Sequence, residues 1–152
     1  MKKLLTIILT TFSFYAYTQE IVYKDSLYYC LTLYTGIYKE YYENGNIKSE
    51  TSVVNGKIDG EYLSYYENGN KKEMRNYSEG IKNGLWCEWN EQGVKMAEAN
   101  YVSGKKNGMW YIWDDNGVKR YEMHYNNGMK TGIWIMWNGK GEKIKEKNYH
   151  DN

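Results

Sequence analysis

Glycines at 36, 60, 84, 108 and 132 each open a copy of a 24-residue unit, and another glycine follows nine residues later at 45, 69, 93, 117 and 141. A third recurs at 56, 80, 104 and 128. Self-similarity at a period of ~20 to ~50 residues marks a repeat architecture, in which each unit buries its apolar surface against its neighbours. Such a chain grows by stacking, so it does not collect around one central core.

Within each copy an aromatic stands two residues after the opening glycine, at Tyr38, Tyr62, Trp86, Trp110 and Trp134. A second stands five residues after it, at Tyr41, Tyr65, Trp89, Trp113 and Trp137. The residues between, such as Leu85-Trp86-Cys87-Glu88-Trp89, are strand formers in a run too short for a helix. They predict a strand of about five or six residues. The odd separation of the two aromatics predicts that they face opposite sides of the sheet. A turn follows at Glu43-Asn44-Gly45, Glu67-Asn68-Gly69, Glu91-Gln92-Gly93 and Asp115-Asn116-Gly117, where asparagine and glycine tolerate the positive backbone angles of tight hairpins. A second strand then runs through Lys48-Ser49-Glu50-Thr51-Ser52-Val53 and its equivalents, with Tyr77, Tyr101, Tyr125 and Tyr149 near its end in later copies. Stretches such as Asn55-Gly56-Lys57-Ile58-Asp59-Gly60 predict the connection to the next copy. Two strands and two turns use all 24 residues and leave no room for a helix or a long catalytic loop.

A lone hairpin is marginal in water. Each copy must therefore lay its rings against the next, giving rows of tryptophan and tyrosine along an elongated single-layer all-β array of tandem antiparallel hairpins. The copies fall at 36–59, 60–83, 84–107, 108–131 and, shortened, 132–149. Residues 19–35 are apolar enough for one or two strands that cap the first copy. Lys143, Lys145, Glu146 and Lys147 load the last strand with charge, which blunts a sheet edge.

Ahead of the array, Lys2 and Lys3 precede an uncharged stretch over residues 4–14, and Ala16, Tyr17 and Thr18 offer a small-residue cleavage site. Residues 1–18 thus have the layout of a signal peptide, with cleavage after Thr18 and export as the expectation; an uncleaved membrane anchor is the alternative. Leu27-Tyr28-Tyr29-Cys30 has the spacing of a lipoprotein box, but the bulky Tyr29 and the charged residues 20–25 argue against lipidation of Cys30. Removing the two leader lysines takes the formal charge from +1 to −1. A nearly neutral chain with interspersed signs lacks the basic stripe that nucleic acid requires. Cys30 and Cys87 lie about two copies apart, too far for a bridge, and Cys87 shares a slot with Leu63, Tyr111 and Ile135, which implies packing.

The recurring Gly-x-Trp-x-x-Trp, the Gly-x-Lys after the turn and the closing Gly-Lys-x-x-Gly resemble the bacterial variant of the MORN repeat. The third copy displays them as Gly84-Leu85-Trp86-Cys87-Glu88-Trp89, Gly93-Val94-Lys95 and Gly104-Lys105-Lys106-Asn107-Gly108. The resemblance spans residues 36–149 and extends to signal-bearing proteins of the YwqK-family antitoxins of toxin-antitoxin systems. It implies a β-hairpin array used for binding, generally to protein and in some relatives to membrane, and it carries no catalytic residues.

The residues themselves offer little chemistry. His124 fills a slot held elsewhere by Ser52, Asn76, Asn100 and Asn148, which implies hydrogen bonding, and His150 has no partner at ligand spacing, so neither zinc nor any cofactor is expected. Glu50, Glu98, Glu122 and Glu146 recur, as do Lys71, Lys95, Lys119 and Lys143. The expectation is that each glutamate faces a lysine on a neighbouring strand. A single layer supplies no cleft for paired catalytic carboxylates. Gly139-Lys140-Gly141 reads as a turn. The favoured function is a non-enzymatic exported scaffold for protein partners, antitoxin-like or immunity-like, presenting Tyr38, Tyr41, Tyr62, Tyr65, Trp86, Trp89, Trp110, Trp113, Trp134 and Trp137. A glycan- or cell-wall-binding module using its aromatic rows is the alternative, which gains if the row of Trp86, Trp110 and Trp134 is solvent-exposed, and membrane-surface attachment, which wants a polybasic face, is weakest.

Overall fold

The computed structural model describes residues 6–8, 18–30 and 32–149. Most of the expected leader and His150 lie outside the described residues, and so does the side chain of Cys30, on which the bridge and lipidation expectations turn. β1 (Thr6–Ile8) pairs antiparallel with β2 (Thr18–Glu20).

Three short strands follow, β3 (Val22–Lys24), β4 (Leu27–Cys30) and β5 (Thr32–Leu33), forming their own antiparallel sheet. Three strands stand where one or two are expected from the residues. They fold onto the first copy: Tyr28 N donates to Gly56 O at 2.8 Å, and Gly56 N donates to Tyr34 O at 2.7 Å. Ile21, Tyr38 and Val53 are buried together there, with Tyr28 and Tyr34 packed against them. This small apolar cluster is where the array has its nearest equivalent of a core.

The array itself is one open sheet of consecutive antiparallel hairpins. Its strands are β6 (Gly36–Tyr41), β7 (Ile47–Val54), β8 (Lys57–Tyr65), β9 (Lys71–Ser78), β10 (Ile81–Trp89), β11 (Lys95–Val102), β12 (Lys105–Lys106), β13 (Gly108–Trp113), β14 (Lys119–Asn126), β15 (Met129–Trp137) and β16 (Lys143–Tyr149). Neighbours in sequence are neighbours in the sheet, with β12 pairing the end of β11. The expected all-β architecture of tandem hairpins is observed.

The two kinds of turn differ. The turn at Glu43-Asn44-Gly45 closes with Gly45 N donating to Tyr42 O and Tyr42 N donating to Asn46 O, and only Gly45 has a positive φ, 86°. The connection between copies is shorter than the sequence suggests. Asn55 and Gly56 both have positive φ, 49° and 77°, and Val54 already pairs with Lys57. This is a two-residue turn of the kind whose twist matches a hairpin. Residues 57–60, expected as loop, therefore resume the ladder, and β8, β10 and β15 reach nine residues instead of five or six. The pairing then slips: Val53 faces Ile58 while Thr51 faces Tyr62. Gly60, with φ 95°, sits in that bulge and bends the strand.

Each connecting turn is tied to the copy before it. Gly80 N, Gly104 N and Gly128 N donate to Ile58 O, Lys82 O and Lys106 O at 2.7 to 2.8 Å. At the opposite edge Tyr42 and Tyr66 hydroxyls donate to Tyr65 O and Trp89 O, at 2.6 and 2.9 Å. Both edges are thus stitched copy to copy, as nearest-neighbour stabilisation of a repeat array requires.

Candidate interaction surface

Register sorts the side chains onto two faces. Trp86 lies opposite Arg75 and Ala99, whereas Cys87 lies opposite Met74 and Glu98; directly paired residues share a face.

On the first face the rings form a ladder. Tyr77, Trp86, Tyr101, Trp110, Tyr125, Trp134 and Tyr149 follow one another with centroids 4.8 to 5.6 Å apart, mostly tilted. Each such contact contributes on the order of 0.5 to 1.5 kcal/mol beyond its buried area. The indole nitrogens of Trp86, Trp110 and Trp134 donate to Asn76 O, Asn100 O and His124 O at 3.0 to 3.1 Å, which fixes each ring's orientation. Tyr28 on Tyr38, at 4.8 Å, continues the stacking into the amino-terminal cap. The rings are half-buried, not enclosed, because a single layer covers them from one side; of the ladder on this face only Tyr38 and Tyr125 fall below a tenth exposed. Burial raises the phenol pKa values of Tyr101 and Tyr125.

Lysines cover the open side. Lys82, Lys106 and Lys130 project from the strands after the connecting turns and lie 4.4, 4.2 and 4.6 Å from the ring centres of Trp86, Trp110 and Trp134. Each also approaches the next tyrosine, Tyr101, Tyr125 or Tyr149, at 4.9 to 5.4 Å. Among the described residues none of the three forms an ion pair. Beside the ladder, pairing neighbour by neighbour draws a second lane: Glu73, Glu88, Ala97, Ile112, Tyr121, Met136, Lys145. A depression of about 170 Å³ lies over Ala97 and Ala99 between Trp86 and Trp110, with Arg75 at its side. A larger one, about 290 Å³, lies over Met123 and Met136 by Trp134 and Tyr149.

The second face carries Trp89, Trp113 and Trp137, with Tyr65 and the exposed Tyr41 at the same register positions in earlier copies. Lys71, Lys95 and Lys119 stand 5.4 to 6.0 Å from the centres of Trp89, Trp113 and Trp137. Here the charges are neutralised: Lys39–Glu50, Lys95–Glu98, Lys119–Glu122 and Lys143–Glu146 meet at 2.6 to 3.0 Å. The expectation of cross-strand pairs holds for Lys39 and Glu50 alone. In the others both partners sit on one strand, because a bulge lies between them. Ala97 faces Glu88 and Lys95 faces Trp89, so three residues on β11 oppose two on β10 and bring Lys95 round to the side of Glu98, which faces Cys87. The Lys39 contact holds the Glu50 carboxyl below its ordinary range, and the Lys95 ammonium is raised by its hydrogen bond to Glu98.

The sequence-derived aromatics therefore do not make one site. Tyr38, Tyr62, Trp86, Trp110 and Trp134 share the laddered face, and Tyr41, Tyr65, Trp89, Trp113 and Trp137 the other. Cys87 is buried, and burial raises its thiol pKa. His124 Nδ1 lies 2.7 Å from Thr131 Oγ1. Among the described residues no group of three or more His, Cys, Asp and Glu side chains is arranged to hold a metal ion. Sequence reasoning passed over Lys82, Lys106 and Lys130, although their 24-residue spacing was there to be read.

Residues 34–55, 58–79 and 106–127 match the MORN repeat variant family. These three segments are MORN repeat variants. No curated protein matches it. The matched MORN segments coincide with the hairpins β6–β7, β8–β9 and β13–β14, and each ends on the first residue of a two-residue connecting turn, Asn55, Glu79 or Asn127. The MORN-like hairpins β10–β11 and β15–β16 repeat the same register, with Gly84 opposite Tyr101 and Gly132 opposite Tyr149, as Gly60 lies opposite Tyr77.

Proposed function

We propose that this MORN-repeat protein is a non-enzymatic, exported scaffold that binds another protein, in the manner of an immunity or antitoxin-like partner. The observation that supports the reading most is the apolar surface a single layer leaves in water: Ile81, Val102 and Met129 beside the connecting turns are 53%, 53% and 61% exposed, and Ile112, Tyr121 and Ile144 are exposed as well. Exposed apolar side chains that recur beside successive connecting turns give a partner a series of apolar contacts, as contiguous apolar patches do at recognition surfaces. A pull-down from the cell-envelope fraction with the full chain tests this. Recovery of one protein in stoichiometric amount supports the scaffold, and recovery of polysaccharide or peptidoglycan alone overturns it.

A glycan-binding role is the second reading, favoured by the half-buried tryptophan row. Sugar rings stack on open aromatic faces, however, and Lys82, Lys106 and Lys130 occupy that side of Trp86, Trp110 and Trp134. Protein binding is therefore the preferred reading.

A further inference from the structure

We propose that the laddered face of the last three copies docks an extended, acidic polyproline II segment of a partner protein, running along the array across the strands. The inference rests on the protein-binding reading and names the chemistry of the partner.

Charge comes first. The two faces carry comparable lysine rows, but on the second face glutamates at hydrogen-bond distance neutralise all of that row except Lys71, which has Met74 in the glutamate slot. On the laddered face Lys82, Lys106 and Lys130 lie over rings and form no ion pair among the described residues, and the acidic Glu73 and Glu88 stand only at the near end of the adjoining lane. Arg75 Nε, at the edge of the Ala97 depression, is buried with no hydrogen-bond partner, while its terminal nitrogen is held by Glu73 at 2.8 Å. A ligand complementary to this rail is anionic. The ring contacts already hold the ammonium groups in place, which lowers the ordering cost of binding.

Spacing comes second. Successive lysines are two strands apart, ~9.6 Å at the usual ~4.8 Å per strand. A polyproline II helix repeats every three residues at ~3.1 Å each, ~9.3 Å per turn, so every third side chain meets the next lysine. An α-helix returns to the same face after seven residues, ~10.5 Å, and drifts three times as far out of step at each copy. A β-strand shows alternate faces at three-residue intervals and cannot match at all. The lane of Ala97, Ile112, Tyr121 and Met136 parallel to the lysines offers apolar seats for the intervening residues.

The test is tryptophan fluorescence of the full chain titrated with a synthetic peptide repeating Pro-Pro-Glu, beside a Pro-Pro-Lys peptide, an acidic helical peptide and polygalacturonate. Saturable binding of Pro-Pro-Glu is expected, weakened roughly tenfold or more by the combined Lys82→Glu, Lys106→Glu and Lys130→Glu changes. Lys95→Glu with Lys119→Glu on the other face should alter it by less than about twofold. Because the three lysines also cover rings, Ala97→Trp, which fills the depression and leaves them intact, serves as a second block and should also weaken binding. Failure of Pro-Pro-Glu to bind, equal binding of Pro-Pro-Lys, tighter binding of the acidic helix, or indifference to both blocks overturns the proposal. If a protein captured from the envelope fraction is released only by the Lys95 and Lys119 changes, the scaffold stands and this inference falls. If polygalacturonate alone binds through the lysines, both fall.

Discussion

Lys95 Nζ and Glu98 Oε2 meet at 2.8 Å on one strand, across a separation of three residues that in a regular strand would put them on opposite faces. The bulge opposite Glu88 and Trp89 brings them together, and the same device recurs for Lys119 with Glu122 and Lys143 with Glu146. These pairs are part-exposed, so Glu98→Gln should cost at most ~1 kcal/mol and the cost should fade in high salt. A double-mutant cycle with Lys95→Met in denaturant titrations, at low and high ionic strength, measures the coupling.

The pH response is expected at two extremes. The Glu50 carboxyl is depressed, first by its hydrogen bond from Lys39, so its contribution is present above the ordinary carboxylate range near 4.5 and is lost as pH falls through the lower folded value. Tyr28 is pushed up to about 12, chiefly by burial, so the folded state favours the neutral phenol. That contribution is complete below 10.0 and disappears as pH rises through about 12. Tyrosinate absorbance and far-ultraviolet circular dichroism recorded together should show late phenol titration coinciding with loss of structure, and Tyr28→Phe should weaken that coupling while leaving the part carried by the other buried phenols such as Tyr101 and Tyr125.

Trp110 has a ring on each side, Tyr101 and Tyr125 at 5.3 Å, and an indole donor on Asn100 O at 3.1 Å. Trp110→Phe should cost on the order of 1 kcal/mol for the lost hydrogen bond. Trp110→Ala should cost roughly 2 to 4 kcal/mol, below the value for an enclosed tryptophan because the ring is half-buried. Since each copy touches only its neighbours, the alanine variant should also split one unfolding transition into two, visible by calorimetry.

Substitutions at the connecting turns should separate strain from crowding. Gly80→Ala meets no atom within 4 Å, so only its φ of 82° opposes it, at about 1 to 2 kcal/mol. Gly56→Ala adds contacts at 2.8 Å with Leu33 and 3.1 Å with the Tyr28 carbonyl, and should be clearly worse. Ser103 holds φ 47° in the slot where Asn55 and Asn127 stand, so Ser103→Asn should raise stability by up to ~1 kcal/mol. Thermal unfolding of the four proteins side by side gives the order.

Much of the architecture was legible because its causes are local. The 24-residue period, the asparagine-glycine turns and the odd spacing of Trp86 and Trp89 follow from short-range chemistry, and hairpins pair with their sequence neighbours. The errors came where register depends on a partner strand. Residues 57–60 read as loop because glycine stands at both ends, yet Asn55 and Gly56 alone complete the turn and Lys57 returns to the ladder. The glutamate and lysine rows read as cross-strand pairs because a bulge leaves no mark on a single strand's alternation.

The repeating residues by themselves determined that the chain is a stack of hairpins with two aromatic rows, since a hairpin this short has nowhere else to bury its rings. Only the tertiary structure decided which cations end up neutralised. That depends on where Lys82, Lys106 and Lys130 land after each two-residue turn and on the bulges that swing Lys95 and Lys119 toward Glu98 and Glu122, contacts set by pairing between strands.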